Sequence, residues 1–130
     1  MIRTLGLTHL ALTVADLERS FRFYHDVFGM EAVHRQDTFL QAQTPGARDV
    51  LVLEEGNVGV GESGGIKHFG FQLEDARDID DAATAIERAG GKIKHRGEFC
   101  SGEPYVFFSD PDGYEVEVWF ELPAQATTVS

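Results

Sequence analysis

Apolar and polar residues alternate in two short stretches of this chain, and the two stretches resemble each other. In the first, Leu10, Leu12 and Val14 share one parity and His9, Ala11 and Thr13 the other; in the second, Phe69, Phe71 and Leu73 alternate with His68, Gly70 and Gln72. Successive side chains leave a strand on opposite faces, so strict alternation predicts two half-buried strands. The apolar face is expected to pack on a helix. The other face carries a histidine flanked by small residues, which leaves room for a ligand. The segments 6–16 and 65–75 keep a constant offset of 59 positions, and a second echo follows them, Val33-His34-Arg35 against Lys94-His95-Arg96.

Helical spacing follows each strand. Asp16 is placed to N-cap a helix whose apolar stripe is Leu17, Phe21, Tyr24 and Phe28, and Gly29 stands where a left-handed C-terminal glycine belongs. The second helix has a narrower stripe, Ile79, Ala82, Ala83 and Ile86, and ends at Gly90-Gly91. Three strand-like runs come after each helix: 31–35, 39–43 and 50–54, then 92–96, 104–108 and 114–121. Turn residues separate them, at Thr44-Pro45-Gly46 and at Asp110-Pro111-Asp112-Gly113. The pattern predicts an α+β fold of two βαβββ modules, 1–62 and 64–121, in a single domain 1–121 with a polar tail over 122–130. A glycine-rich link, 59–65, joins them. About sixty residues make a marginal fold alone, so the modules are expected to stabilise each other. If a pseudo-twofold axis relates them, His9 and His68 are equivalent and can converge on one point.

A third residue joins this pair by parity. In the last strand Val116, Val118 and Phe120 alternate with Glu115, Glu117, Trp119 and Glu121. With the valines turned to the helices, Glu117 points where the histidines point. Singly, each of these residues reads as an ordinary surface side chain. Together, two histidines and a carboxylate on rigid strands make a facial triad, the set that holds Fe(II) or Mn(II) with coordination positions left open; Zn, Ni and Co are alternatives. Glu115 and Glu121 are the solvated members of the row.

The residues Thr8-His9-Leu10-Ala11-Leu12-Thr13-Val14 with Asp16-Leu17 and Phe23-Tyr24, then Lys67-His68-Phe69-Gly70-Phe71, then Asp110-Pro111-Asp112-Gly113-Tyr114-Glu115-Val116-Glu117 resemble the vicinal oxygen chelate superfamily. That superfamily includes glyoxalase I, extradiol ring-cleaving dioxygenases, fosfomycin-resistance transferases and bleomycin-resistance proteins. The resemblance covers the chain to Glu121. It implies paired βαβββ modules whose mixed sheets curl into a cup or barrel around a metal, with His9, His68 and Glu117 as its ligands. It also implies a homodimer in which modules of different chains pair to complete each cup. Departures from the pattern separate the reactions. The fourth ligand of glyoxalase I falls at Val52, with Glu54 two residues on as the nearest substitute. The tyrosine of the fosfomycin transferases falls at Phe107 and their arginine near Ala126. The extradiol signature also wants a histidine near 98–100 and a tyrosine at about Phe107, and neither is present.

The leading expectation is a metal-dependent, extradiol-type dioxygenase that binds a small substrate through adjacent oxygens. A glyoxalase-type lyase or isomerase is the alternative, and a metal-free binding module of the bleomycin-resistance kind is the reading from a different class. Glu54, His34 and Tyr105 are weak candidates for acid, base or pocket roles, and His95 shares the reading of His34. His25 reads as solvated, and Cys100 as an idle thiol. No organic cofactor is expected. A net charge of −11, with 22 acidic against 11 basic residues, argues against nucleic acid as a partner. One cysteine excludes an internal disulfide, and the first residues resemble neither a signal peptide nor a membrane span, so a cytoplasmic protein is expected.

Overall fold

The computed structural model describes residues 1–124, so 125–130 of the expected tail lie outside the described residues. The first module runs β1 (His9–Val14), α1 (Leu17–Phe28), β2 (Glu31–Gln36), β3 (Phe39–Gln43) and β4 (Val50–Glu55). The second runs β5 (Phe69–Gln72), α2 (Ile79–Arg88), β6 (Lys92–Glu98), β7 (Pro104–Ser109) and β8 (Glu115–Trp119), with a 3-10 turn, Ala76–Asp78, ahead of α2. Both βαβββ modules are therefore present. No helix among the described residues is long and apolar enough to cross a membrane.

Helix α1 starts and stops as its sequence predicts. Asp16 is extended and its carboxylate accepts from the Arg19 amide; Gly29 takes φ 70° and its amide donates to the His25 carbonyl. Met30 O also lies 2.8 Å from His25 Nδ1, which gives that histidine a local role at the helix end. Helix α2 has no side-chain N-cap, and its left-handed residue is Gly90 at φ 101°.

The sheets repeat each other strand for strand. One has the order β1-β4-β3-β2 and the other β5-β8-β7-β6, each with one parallel and two antiparallel pairings. Ala11 pairs with Val52 and Val52 with Gln41; Gly70 pairs with Glu117 and Glu117 with Phe107. Val52 and Glu117 thus hold equivalent places. Even an irregularity recurs, because the register shifts between Ala32 and His34 in one sheet and between Ile93 and His95 in the other. The two sheets are not hydrogen-bonded to each other, so β1 and β5 are left as edges. An eight-stranded cup is not closed within one chain.

One core joins the modules. Val14, Leu40 and Leu53 of the first are fully buried in the same cluster as Val106, Phe108, Val116 and Val118 of the second. Aromatic residues of α1 reach across: Phe28 stacks on Phe71 at 4.0 Å and Phe23 meets Phe108 at 6.0 Å. The turn between β7 and β8 then locks onto α1 through hydrogen bonds. Asp110, 4% exposed, accepts from Tyr24 Oη at 2.6 Å and from the amides of Asp112 and Tyr114. Asp112 accepts from Ser20 Oγ at 2.6 Å, Arg19 Nη2 at 2.8 Å and the Ala15 amide at 3.0 Å, while Tyr114 Oη donates to the Thr13 carbonyl at 2.7 Å. The linking segment is drawn into this lock. A Cβ on Gly61, which has φ 77°, would collide with the Asp112 carbonyl oxygen.

Burial pushes the Tyr24 phenol well above its ordinary value, and the neighbouring Asp110 carboxylate pushes it further. Burial also raises Asp110, against hydrogen bonds that pull it down. Above a pH of about 10 the unfolded chain sheds the Tyr24 proton that the folded chain keeps, so stability is fully present below that pH and falls as pH rises past it. Tyr24→Phe is expected to remove this part of the alkaline decline. At neutral pH it should cost about 1–3 kcal/mol, because Asp110 Oδ2 loses its phenolic donor inside the core. Urea unfolding from pH 7 to 11 measures both, and an unchanged alkaline slope would contradict the assignment.

Candidate metal centre

Strand parity brings His68 and Glu117 to one face. Glu117 Oε1 lies 4.0 Å from His68 Nε2, and the Glu117 side chain is only 11% exposed between the buried Val116 and Val118. Gly70, paired with Glu117 across the ladder, makes that approach possible. A Cβ there would stand 3.3 Å from Glu117 Oε1 and 3.2 Å from its backbone oxygen. Burial raises the Glu117 carboxyl above its usual range and His68 pulls it back, with no hydrogen bond contributing. An ionised carboxylate in such a place calls for a positive partner.

His9 occupies the equivalent place in the other sheet. Thr8 Oγ1 lies 2.7 Å from its Nδ1, which occupies one ring nitrogen and leaves the other to the cavity. That cavity, about 310 Å³, is walled by Ala11, Phe39, Gln41, Val52 and Glu54. Within one chain, His9 and His68 line different cavities. A second cavity beside His9 has Gly70, Phe71 and Gln72 on its β5 side, whereas the cavity beside His68 has Leu10, Ala11, Leu12 and Thr13 on its β1 side. Among the described residues no group of three or more His, Cys, Asp and Glu is arranged to hold a metal ion.

Sequence reasoning placed Trp119 on the Glu117 face and named Tyr105 and His95, but it missed Phe99 and the contacts that join these rings into a wall. Phe107 meets His68 edge-on at 4.9 Å, and His95 stacks on Phe107 at 4.8 Å with planes 16° apart. Tyr105 lies 5.6 Å from His95, and Phe99 bridges Tyr105 at 4.4 Å to Trp119 at 5.9 Å. The β6 register shift sets the partner of His95, which counting by twos cannot reveal. The shift also frees Lys94 to reach Glu115 at 2.9 Å, which lowers the Glu115 carboxyl; Glu115 is therefore paired where it was expected to be solvated only. His34 and Glu54 line a cavity of about 560 Å³ with Gln36, Thr38, Phe39 and Gln41. Cys100 is exposed, and partial desolvation together with the neighbouring Glu103 carboxylate raises its thiol, which suits an inert residue.

Comparison with known proteins agrees with this architecture. Residues 6–118 match the family model of the glyoxalase/bleomycin resistance protein/dioxygenase superfamily, and the chain belongs to that superfamily. Catechol-2,3-dioxygenase of Bacillus subtilis (strain 168) is 31% identical over 123 residues, covering 89% of this chain but only 42% of the dioxygenase, so the chain spans less than half of that relative's length. Lactoylglutathione lyase of Neisseria meningitidis serogroup A is 30% identical over 125 residues, covering 85% of this chain and 87% of the lyase. A similar fold is found in a mutant of the fosfomycin resistance protein FosX from Listeria monocytogenes, complexed with Mn(II) and 1S,2S-dihydroxypropylphosphonic acid: TM-score 0.75, 21% identity, 89% of this chain and 90% of that one.

Ala11 already carries a Cβ opposite Val52, whereas Gly70 has none opposite Glu117. Gly70→Ala should therefore destabilise the fold by about 1–3 kcal/mol through crowding of Glu117. The denaturation midpoint should fall at unchanged m-value. No change in midpoint would show that Glu117 can withdraw freely.

Proposed function

We propose that this chain is a metal-dependent enzyme that binds a small substrate through two adjacent oxygens, of the extradiol dioxygenase type, with His9, His68 and Glu117 as metal ligands. The observation that carries the reading is geometric: the Glu117 carboxylate, 11% exposed, lies 4.0 Å from His68 Nε2 with Gly70 paired opposite it. Imidazole nitrogens and one carboxylate suit Fe(II) or Mn(II). When bound, such an ion supplies Lewis acidity to a substrate's paired oxygens. His68 and Glu117 are set on neighbouring strands, and Thr8 orients the His9 ring through Nδ1. Val52 occupies the place equivalent to Glu117 in the first sheet and offers no donor, which favours the three-ligand dioxygenase over the four-ligand lyase.

The separate cavities of His9 and His68 within one chain support a second part of the proposal. The enzyme acts as a homodimer, with His9 of one chain completing the site formed by His68 and Glu117 of the other. The unpaired edges of β1 and β5 are the natural places for that pairing.

Glu117→Gln keeps the shape and removes the charge, so protein purified anaerobically should lose its metal, while the unfolding free energies of the metal-stripped parent and variant should agree within about 1 kcal/mol. Elemental analysis reads the loss; equal metal content in both would remove Glu117 from the ligand set. Mixing His9→Ala with His68→Ala subunits should restore metal binding that neither parent has, since each heterodimer contains one intact site. No recovery despite demonstrated subunit exchange would place all three ligands in one chain.

A further inference from the structure

The two sheet faces that carry the proposed ligands are equivalent in backbone and unlike in chemistry. By ladder register Tyr105 corresponds to Phe39, Phe107 to Gln41 and Trp119 to Glu54. The Glu117 face is thus a run of rings, His95, Phe107, Tyr105, Phe99 and Trp119, in mutual contact from 4.4 to 5.9 Å. The His9 face keeps only two rings, His34 and Phe39, 5.7 Å apart, and presents Gln41 and the Glu54 carboxylate where the other face has Phe107 and Trp119.

Charge sharpens the contrast. Lys94, the basic residue beside the ring wall, is held by Glu115 at 2.9 Å. Arg35 is turned to Glu18 and Arg96 to Asp80. Lys67, beside His68, shares its cavity with Glu62 and Glu115. An anionic substituent would meet Glu54 on one wall and find each neighbouring cation already among carboxylates. A planar ring has a stacking surface, and a cationic or donor group has a carboxylate to meet.

We infer that the walls divide the substrate: the aromatic wall stacks a planar ring, and Glu54 receives an amino or other hydrogen-bond-donating substituent, so the site selects an aromatic vicinal diol bearing a cation over one bearing a carboxylate. The inference rests on the reading that the two faces meet around one metal. Glu54 is then a specificity residue. Its place on β4, two residues beyond Val52 on the same face, sets it one side chain away from the equivalent of Glu117.

Trp119 is the sole tryptophan and lies on the ring wall, so its emission reports stacking without turnover. Mn(II)-loaded protein, kept anaerobic, is titrated with catechol, 4-(2-aminoethyl)catechol and 3,4-dihydroxyphenylacetate. All three should quench Trp119, and the ammonium probe should bind about fivefold more tightly than the carboxylate probe, the upper end of the range for one exposed ion pair. The gap should fall to within about twofold in Glu54→Gln, and in the parent at about 1 M salt, where screening reaches ion-pair distances. Equal affinities, a preference for the anion, or a gap that survives Glu54→Gln overturns the role of Glu54 and leaves the metal reading standing. Catechol that binds by calorimetry without altering Trp119 overturns the ring wall. Failure to retain Mn(II) sinks the metal reading instead; the ammonium preference should still appear in the metal-free dimer, and its absence there overturns this inference as well.

Discussion

The turn from Asp110 to Tyr114 holds the two halves of the molecule in one relation. Two carboxylates from the second module reach α1 of the first, and both are almost wholly covered by the contacts they make. Buried carboxylates tolerate such a place only when their oxygens find donors, and here Tyr24, Ser20, Arg19 and backbone amides supply them. Hydrophobic contact between α1 and the second sheet brings the modules together without direction. The hydrogen bonds of the turn supply the direction, and the position of β8, with Glu117 on it, follows from them.

On that frame the same backbone carries two different surfaces. Equivalent ladder positions hold Val52 and Glu117, Gln41 and Phe107, Glu54 and Trp119. A symmetric pair of modules would offer the same ligands twice. Departure from symmetry in side chains alone gives one half a carboxylate ligand candidate and a ring wall, and the other half a histidine and polar groups, at no cost to strand pairing.

Much of this was legible in the sequence. The period-two stretches at His9 and His68, the Asp16 and Gly29 caps and the parity of Glu117 all predict what the structure contains, because each depends on neighbours a few residues away. The lock between Asp110, Asp112 and α1 was hidden, since its partners lie 86 to 93 positions apart and a turn sequence suffices to explain those residues locally. His95 against Phe107 was hidden as well, because a register shift in β6 breaks the count that placed the other residues. The glycine-rich link read only as a connector between the modules. Gly61 instead packs against the Asp112 carbonyl, a contact that composition does not encode.

The matched register shifts at Ala32–His34 and Ile93–His95 carry information about ancestry. A bulge is an extra residue in a strand, and the same insertion arising twice at the same rung is far less economical than one origin before the halves were joined. The half-length ancestor then already had its bent third element, and a chain of about sixty residues with an aromatic helix face needed another copy of itself to bury it. Self-association is on this view older than the joined chain, and gene fusion made permanent one contact of an assembly that already existed.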